Sequence, residues 1–404
     1  MHNNSLLKQV MILTPFVFSF ALGLDIYIPI IPQMAGIFET TPAIVQLTLS
    51  LFLFITGAGQ LLIGPLADQF GRKPILLMAA CSFIIGSLIC AISSQIGVLI
   101  VGRAISAFGA CGMLVTSFAL VRDLYSDRES GKMYSFLNGA IGISPVFAPM
   151  IGGHLAVLLG WRAIFYFLAV MGGFALLVSS RCIEETLPPA KRVAVDRSSF
   201  SRYSQIFSNR QFLLYATLAG LAEGVFFCFF SISPFIIIDL HGIPTEQFGY
   251  YFALFGLVIS LGGFASGKMI DKAGISATIA AGIVFLFAGG TTMLLCHYFS
   301  GLTLAGFLLP MMLACTGAMF LVGSSAARAL EPFAAMAGSA SAAFGSIEFG
   351  LSALIGSGLM LLPVTSTVPY GVVILITACV CLALCRMSPS VESDTLQQPK
   401  FDCI

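Results

Sequence analysis

Charge is what this sequence is short of: Asp, Glu, Lys and Arg make up 9% of its 404 residues, where a soluble domain carries about a quarter. The apolar residues, 58% of the chain at a mean hydropathy of +0.99, therefore have no water-facing counterpart, which excludes a disordered chain and a soluble enzyme. Neither sign of charge is in excess. A net charge of +1 is too small for a nucleic-acid binder, whose affinity comes from neutralising phosphates. There are 11 cysteines but no C-x-x-C, and the tightest group, Cys379, Cys381 and Cys385, sits in one apolar run without a histidine. They read as reduced thiols packed as small hydrophobes, with no metal site. H-E-x-x-H is absent too. Gly262 to Lys268 fits the first seven positions of a phosphate loop, but Met269 stands where a hydroxyl must hold magnesium, so an ATP-driven pump is excluded.

What is present is a succession of apolar runs, each long enough to cross a bilayer at about 20 residues. Twelve are expected, near 10–31, 43–64, 74–94, 97–121, 133–158, 162–181, 211–238, 246–267, 275–296, 301–326, 334–361 and 367–387. Positive charge is nearly missing from one set of loops. With the N-terminus inside, every Lys and Arg except Arg103 and Arg162 falls in an inside segment, which places both termini in the cytoplasm of a bacterial-type inner membrane. The longest polar stretch, 184–210, divides the chain into six spans (1–183), a cytoplasmic linker, six spans (211–387) and a cytoplasmic tail (388–404). A repeat agrees with this division. Gly64, Asp68 and Gly71 after span 2 recur at the same spacing as Gly267, Asp271 and Gly274 after span 8, half a chain length apart, so internal duplication is the simplest account.

The first of these segments, Gly64-Pro-Leu-Ala-Asp68-Gln-Phe-Gly71-Arg72-Lys73, resembles the loop 2–3 signature of the major facilitator superfamily. The resemblance implies an all-α membrane protein, twelve transmembrane helices in two six-helix bundles around a central cavity. It also implies that Gly64, Asp68, Gly71, Arg72 and Lys73, with Arg122 and Asp123 at the end of span 4, form a conformational gate rather than contact cargo. Three further stretches narrow the family. Leu24 to Pro32 in span 1, Leu120 to Tyr125 at the end of span 4, and Ser144 to Gly153 in span 5 are together similar to the bicyclomycin-resistance (Bcr/CflA) type of drug:proton antiporters. In span 5, Pro145, Pro149, Gly152 and Gly153 are similar to the antiporter motif, with Ala148 in place of a glycine; such prolines and glycines bend a helix and let it pack closely, here at the interface between the halves. Span 4 keeps Arg103 but has Ser106 and Ala107 where Gln-Gly is usual.

Four charges remain well inside the spans: Asp25, Arg103, Glu223 and Glu348. Each costs at least about 2.5 to 3.5 kcal/mol at mid-helix and so needs a reason. Asp25 and Arg103 lie at matching depths, each about six residues from the outer end of its helix, and are expected to pair. A purely structural salt bridge is one reading of that pair; the resemblance implies the other, that both line the cavity and belong to the proton and cargo machinery, with protonation competing against ion pairing. Glu223 and Glu348 fall near the midplane of the second half, suited to neutralising a cationic cargo or holding a proton. Glu348 stands where the family's span 11 carries Gln. Tyr27, Phe226, Phe227 and Phe230, with Phe229, are the aromatic candidates for cavity contacts, and His154 and His297 near outer helix ends read as structural. The whole reads as an exporter without enzyme activity or cofactor, driven by the proton gradient, monomeric, with protons, lipid and a small amphipathic molecule as its partners. Export of a metabolite such as a siderophore, proton-coupled uptake, and a non-transporting receptor or scaffold are the alternatives.

Overall fold

The structure, a computed structural model, describes residues 2–125, 127–188, 192, 197–362 and 366–387. The tail expected at 388–404 and the linker stretches 189–191 and 193–196 lie outside them. Every regular element among the described residues is a helix: α1 (His2–Asp25), α2 (Ile31–Ile37), α3 (Pro42–Phe70), α4 (Arg72–Ala91), α5 (Ile96–Leu124), α6 (Asp127–Leu159), α7 (Arg162–Cys182), α8 (Arg197–Ser208), α9 (Arg210–Pro234), α10 (Thr245–Ser300), α11 (Leu304–Leu330), α12 (Ala337–Leu359) and α13 (Val368–Arg386). Side-chain caps set several starts. Thr41, Asn209 and Thr303 each accept from a backbone N–H three residues on, opening α3, α9 and α11.

Eleven helical stretches are long and apolar enough to cross a membrane. The 56 residues of α10 would run about 84 Å as one rod, far beyond a hydrocarbon core of about 30 Å. Gly274 resolves this. At φ 84° it interrupts the helix, so α10 makes two passes and the crossings number twelve, as expected. Gly71, between α3 and α4, has φ 104° and ψ 158°, close to the 84° and 170° of Gly274. These are the second glycines of the two motif copies, so the repeat is present in backbone conformation as well as in sequence. The φ > 0 region disfavours any residue with a Cβ.

Two expectations change in detail. Span 1 is not one helix over 10–31: α1 ends at Asp25, and a 3-10 turn (Ile28–Ile30) leads into α2. Pro29 and Pro32 explain the break, because neither donates a backbone hydrogen bond and each restricts the residue before it. The polar linker also carries a helix, α8, whose Tyr203 and Ile206 are buried where it packs on α9 and α12.

Helices α1 and α3 to α7 pack on one another, and so do α9 to α13. Two seams join the groups, α3 against α12 and α6 against α10. Because the repeat maps span 2 onto span 8 and span 5 onto span 11, these are two copies of one contact related by a pseudo-twofold axis.

Replacing either hinge glycine by alanine forces an L-residue into a left-handed backbone at a cost of about 1 to 2 kcal/mol. A Cβ at Gly71 would in addition collide with the Glu185 carboxylate, whereas one at Gly274 meets nothing within 4 Å. Gly71→Ala is therefore expected to lower the melting temperature of the purified protein more than Gly274→Ala, a ranking that thermal unfolding in one detergent checks directly.

Candidate functional site

Between the two groups of helices lies a cavity of about 770 Å³. Its walls come from both halves, with Phe20, Gln60, Leu114 and Phe118 on one side and Phe344, Gly345, Glu348 and Phe349 on the other. It extends to the face that bears Asp68, Arg122, Arg202, Tyr203 and Ser339, the same face on which the basic loops gather. At the opposite face the halves are closed on each other. Backbone meets backbone there: a Cβ on Gly249 of α10 would stand 2.5 Å from Met150 Cα, and one on Gly153 of α6 would stand 2.7 Å from the Thr245 carbonyl oxygen. Polar side chains add to the closure, Gln33 Nε2 donating to Thr245 Oγ1 at 2.9 Å and Gln46 Nε2 to Ser231 Oγ at 2.5 Å. Gly152 and Gly153 thus sit at the closed seam, Gly152 against the Ile26 carbonyl of the broken first span, while Gly256 of α10 rests on Val146 next to Pro145.

The expected contact between Asp25 and Arg103 is not formed. Arg103 is fully buried; its Nη1 donates to the Gly23 carbonyl at 2.7 Å, and its guanidinium lies over Phe52 and Tyr27, 4.4 and 5.1 Å from the ring centroids. Aromatic faces and one carbonyl take the place of the carboxylate. The fit is incomplete, because Arg103 Nε and Nη2 have no hydrogen-bond partner among the described residues. Asp25, 3% exposed, faces instead the hydroxyl of Ser144 on α6. Neither charge lines the cavity, so direct displacement of a proton by cargo resting on this pair does not fit the geometry. The sequence argument matched their depths, but depth along a helix does not fix which way a side chain turns.

The aromatic candidates are corrected in the same way. Tyr27 and Phe227 are fully buried, Phe226 and Phe230 nearly so, and none of the four lines the cavity. Tyr27 accepts from Thr48 Oγ1 at 3.3 Å, Phe227 fills the space beside Gly356, and Phe230 packs on Phe252 with centroids 5.1 Å apart. Glu223 also stays behind the wall, on α9, where Ser352 Oγ donates to its backbone carbonyl at 3.3 Å. Glu348 on α12 does line the cavity, close enough to Glu223 for the two carboxyls to act on each other electrostatically.

The loop signature is assembled at the cavity mouth. Arg72, its side chain 4% exposed, holds Asp68 at 2.8 Å and Asp123 at 2.9 Å, and its backbone N–H donates to Glu185 Oε1 at 3.0 Å. Both ion pairs stay within the first half. Lys73 Nζ donates to the Ser180 carbonyl at 3.1 Å, and Arg122 lies against Gly338 at the start of α12. Gly64, Asp68, Arg72 and Arg122 all line the mouth. Tyr203 of α8 lies beside Gly64, and burial pushes its phenol up to about 12. His154 and His297 bond to the Met150 carbonyl and to Thr367 Oγ1, anchoring contacts as expected. The sequence reading missed Gln33, Gln46, Gln60, Ser144 and α8. A glutamine inside an apolar span was the available signal for Gln46 and Gln60.

A family model described as Major Facilitator Superfamily matches residues 13–357. The chain is 32% identical over 389 residues to a chloramphenicol resistance protein of Pseudomonas aeruginosa, covering 95% of this chain and 91% of the relative. It is 29% identical to a bicyclomycin resistance protein homolog of Haemophilus influenzae, covering 83% and 84%. In fold it is similar to a crystal structure of the peptide transporter POT in complex with sulfate, with a TM-score of 0.76 at 14% identity and 94% of each chain covered.

Cysteines introduced together at Gln33 and Thr245 in a cysteine-free background are expected to crosslink readily in the purified protein, since these side chains touch across the closed seam. Gel mobility after mild oxidation reads the bond. A pair that stays reduced would show that the seam is open in the resting protein.

Proposed function

This chain belongs to the Major Facilitator Superfamily, and we propose that it expels small amphipathic compounds in exchange for protons by alternating access. The observation that carries the reading is the cavity, walled by both halves, continuous with one face and closed at the other. Rocking one bundle against the other about the two seams would convert such a chamber to its opposite state. The relatives named for chloramphenicol and bicyclomycin resistance support outward transport of a drug-sized compound. The distribution of Lys and Arg supports a bacterial inner membrane with both termini, the linker and the open mouth on the cytoplasmic side.

Proton coupling is assigned to Asp25. It sits at the break in the first span and faces α6, and α6 forms the closing seam with α10, so any movement that opens the seam also changes what surrounds this carboxyl. As a neutral acid Asp25 needs no cation, and Arg103 rests on its aromatic faces. When the proton leaves, Arg103, whose Nη1 donates to the Gly23 carbonyl two residues from Asp25, offers the carboxylate its two unpaired nitrogens, Nε and Nη2, as a charge-assisted partner. Buried donors without acceptors are costly, which favours a second state that satisfies them. One proton moving inward releases about 2.3 kcal/mol per 100 mV of potential, enough to sustain a large outward gradient of cargo. Gate residues Asp68, Arg72 and Asp123, paired within the first half while the mouth is open, would meet the second half as it closes.

In proteoliposomes carrying an inside-acid gradient, a panel of compounds including chloramphenicol should collapse the gradient with wild-type protein and leave it intact with Asp25→Asn. Collapse by the variant at the wild-type rate rejects the assignment of Asp25, and acidification of the lumen on addition of cargo to wild type would mark uptake instead of export.

A further inference from the structure

With Asp25 and Arg103 sealed in the first bundle, the deep part of the cavity holds a different polar group. Glu348 stands eleven residues into α12 and Gln60 ten residues before the end of α3, which puts both about 15 Å from the basic face at 1.5 Å per residue. They are neighbours across the α3–α12 seam: the Gln60 amide fills the space beside Gly345, where a Cβ would meet its Nε2 at 2.8 Å, and Gly345 and Glu348 share one face of the helix at i, i+3. Both side chains line the cavity. Gln60 is only 8% exposed. Glu348 forms none of the ion pairs found among the described residues, and Glu223 behind it adds a second acidic group. Next to this polar corner the chamber is aromatic. Phe20 and Phe349, whose centroids are 5.9 Å apart, meet from opposite halves, with Phe344 alongside.

We infer that Glu348 and Gln60 form a recognition site for a protonated primary or secondary amine carried on an aromatic body, separate from the Asp25 proton site. The carboxylate and the amide oxygen are two acceptors at one depth, which suits an ammonium with at least two N–H groups. Phe20, Phe344 and Phe349 receive the ring system, and the flanking rings also favour a cation. A quaternary ammonium offers charge without donors, and an alcohol of the same shape offers neither the charge nor a second donor. Because the two sites are apart, cargo and proton influence each other through bundle movement rather than by competing for one carboxyl. The inference rests on the cavity being the cargo chamber.

The test uses the full-length purified protein at neutral pH and three probes with one body: 2-(1-naphthyl)ethylamine, its N-trimethylated form and 2-(1-naphthyl)ethanol, with binding read by calorimetry. The amine is expected to bind about tenfold or more tighter than either analogue, the scale of a hydrogen bond to a charged group. Glu348→Gln should bring the amine to the affinity of the alcohol while leaving the alcohol unchanged, whereas Asp25→Asn, which acts on cargo only through bundle movement, should shift the three affinities together and keep the advantage of the amine. Gln60→Leu, close in size, should weaken the amine alone and serves as the second variant if Glu348→Gln cannot be purified. Equal affinity of the three probes, or a variant that weakens all three alike, overturns the amine site while the transport reading stands. Absence of binding by all three overturns both.

Discussion

The close approach of α6 to α10, on backbones bared by Gly153 and Gly249, is the contact that the rest of the arrangement depends on. Together with its pseudo-symmetric counterpart between α3 and α12, it brings the halves together with little side-chain volume between them, at a depth where lipid offers no hydrophobic force to drive helices together. Van der Waals contact between small residues does the work instead. Because α6 and α10 close at one face only, the same contact that joins the bundles leaves a chamber reaching the other. A carrier needs seams that can part, and this one is built from glycine contacts and a few neutral hydrogen bonds, Gln33 to Thr245 and Gln46 to Ser231, rather than from ion pairs.

Charge is distributed to suit. At the mouth Arg72 is locked to Asp68 and Asp123 inside the first half, and Arg122 reaches across to α12. In the interior the first half keeps Arg103 on aromatic faces with two donors unpaired, while the second half presents Glu348 to the cavity. The chamber wall is therefore electrically asymmetric. From the mouth inward the arginines come first and Glu348 last, while Asp25 lies off the lining. The linker helix α8 contributes Arg202 and Tyr203 to the same mouth, so the segment joining the halves also shapes the entrance.

Much of this was legible in one dimension. The twelve crossings follow from transfer energies summed along the chain, and the duplication from two glycine–aspartate–glycine segments whose second glycines share an unusual backbone. Family membership followed from the loop at Gly64 to Lys73. Gly152 and Gly153 were expected at an interface between halves, and Gly153 and its neighbours meet α10 there. The break after Asp25 was written in Pro29 and Pro32 but was read through, because a run of apolar residues outweighed it.

Rotation of each helix about its own axis was decided by packing alone. A membrane helix apolar on every side carries little record of which face turns inward, so Tyr27, Phe226, Phe227 and Phe230 could be placed at the right depth and still point into the core, and Asp25 and Arg103 could share a level without touching. The sequence by itself determined how many times the chain crosses, which loops carry the positive charge and which polar residues are costly enough to need a purpose. Which of those residues meet the cavity, and that Gln60 joins Glu348 there, was settled by the fit of α3 against α12, a contact between residues far apart in the chain that no local pattern encodes.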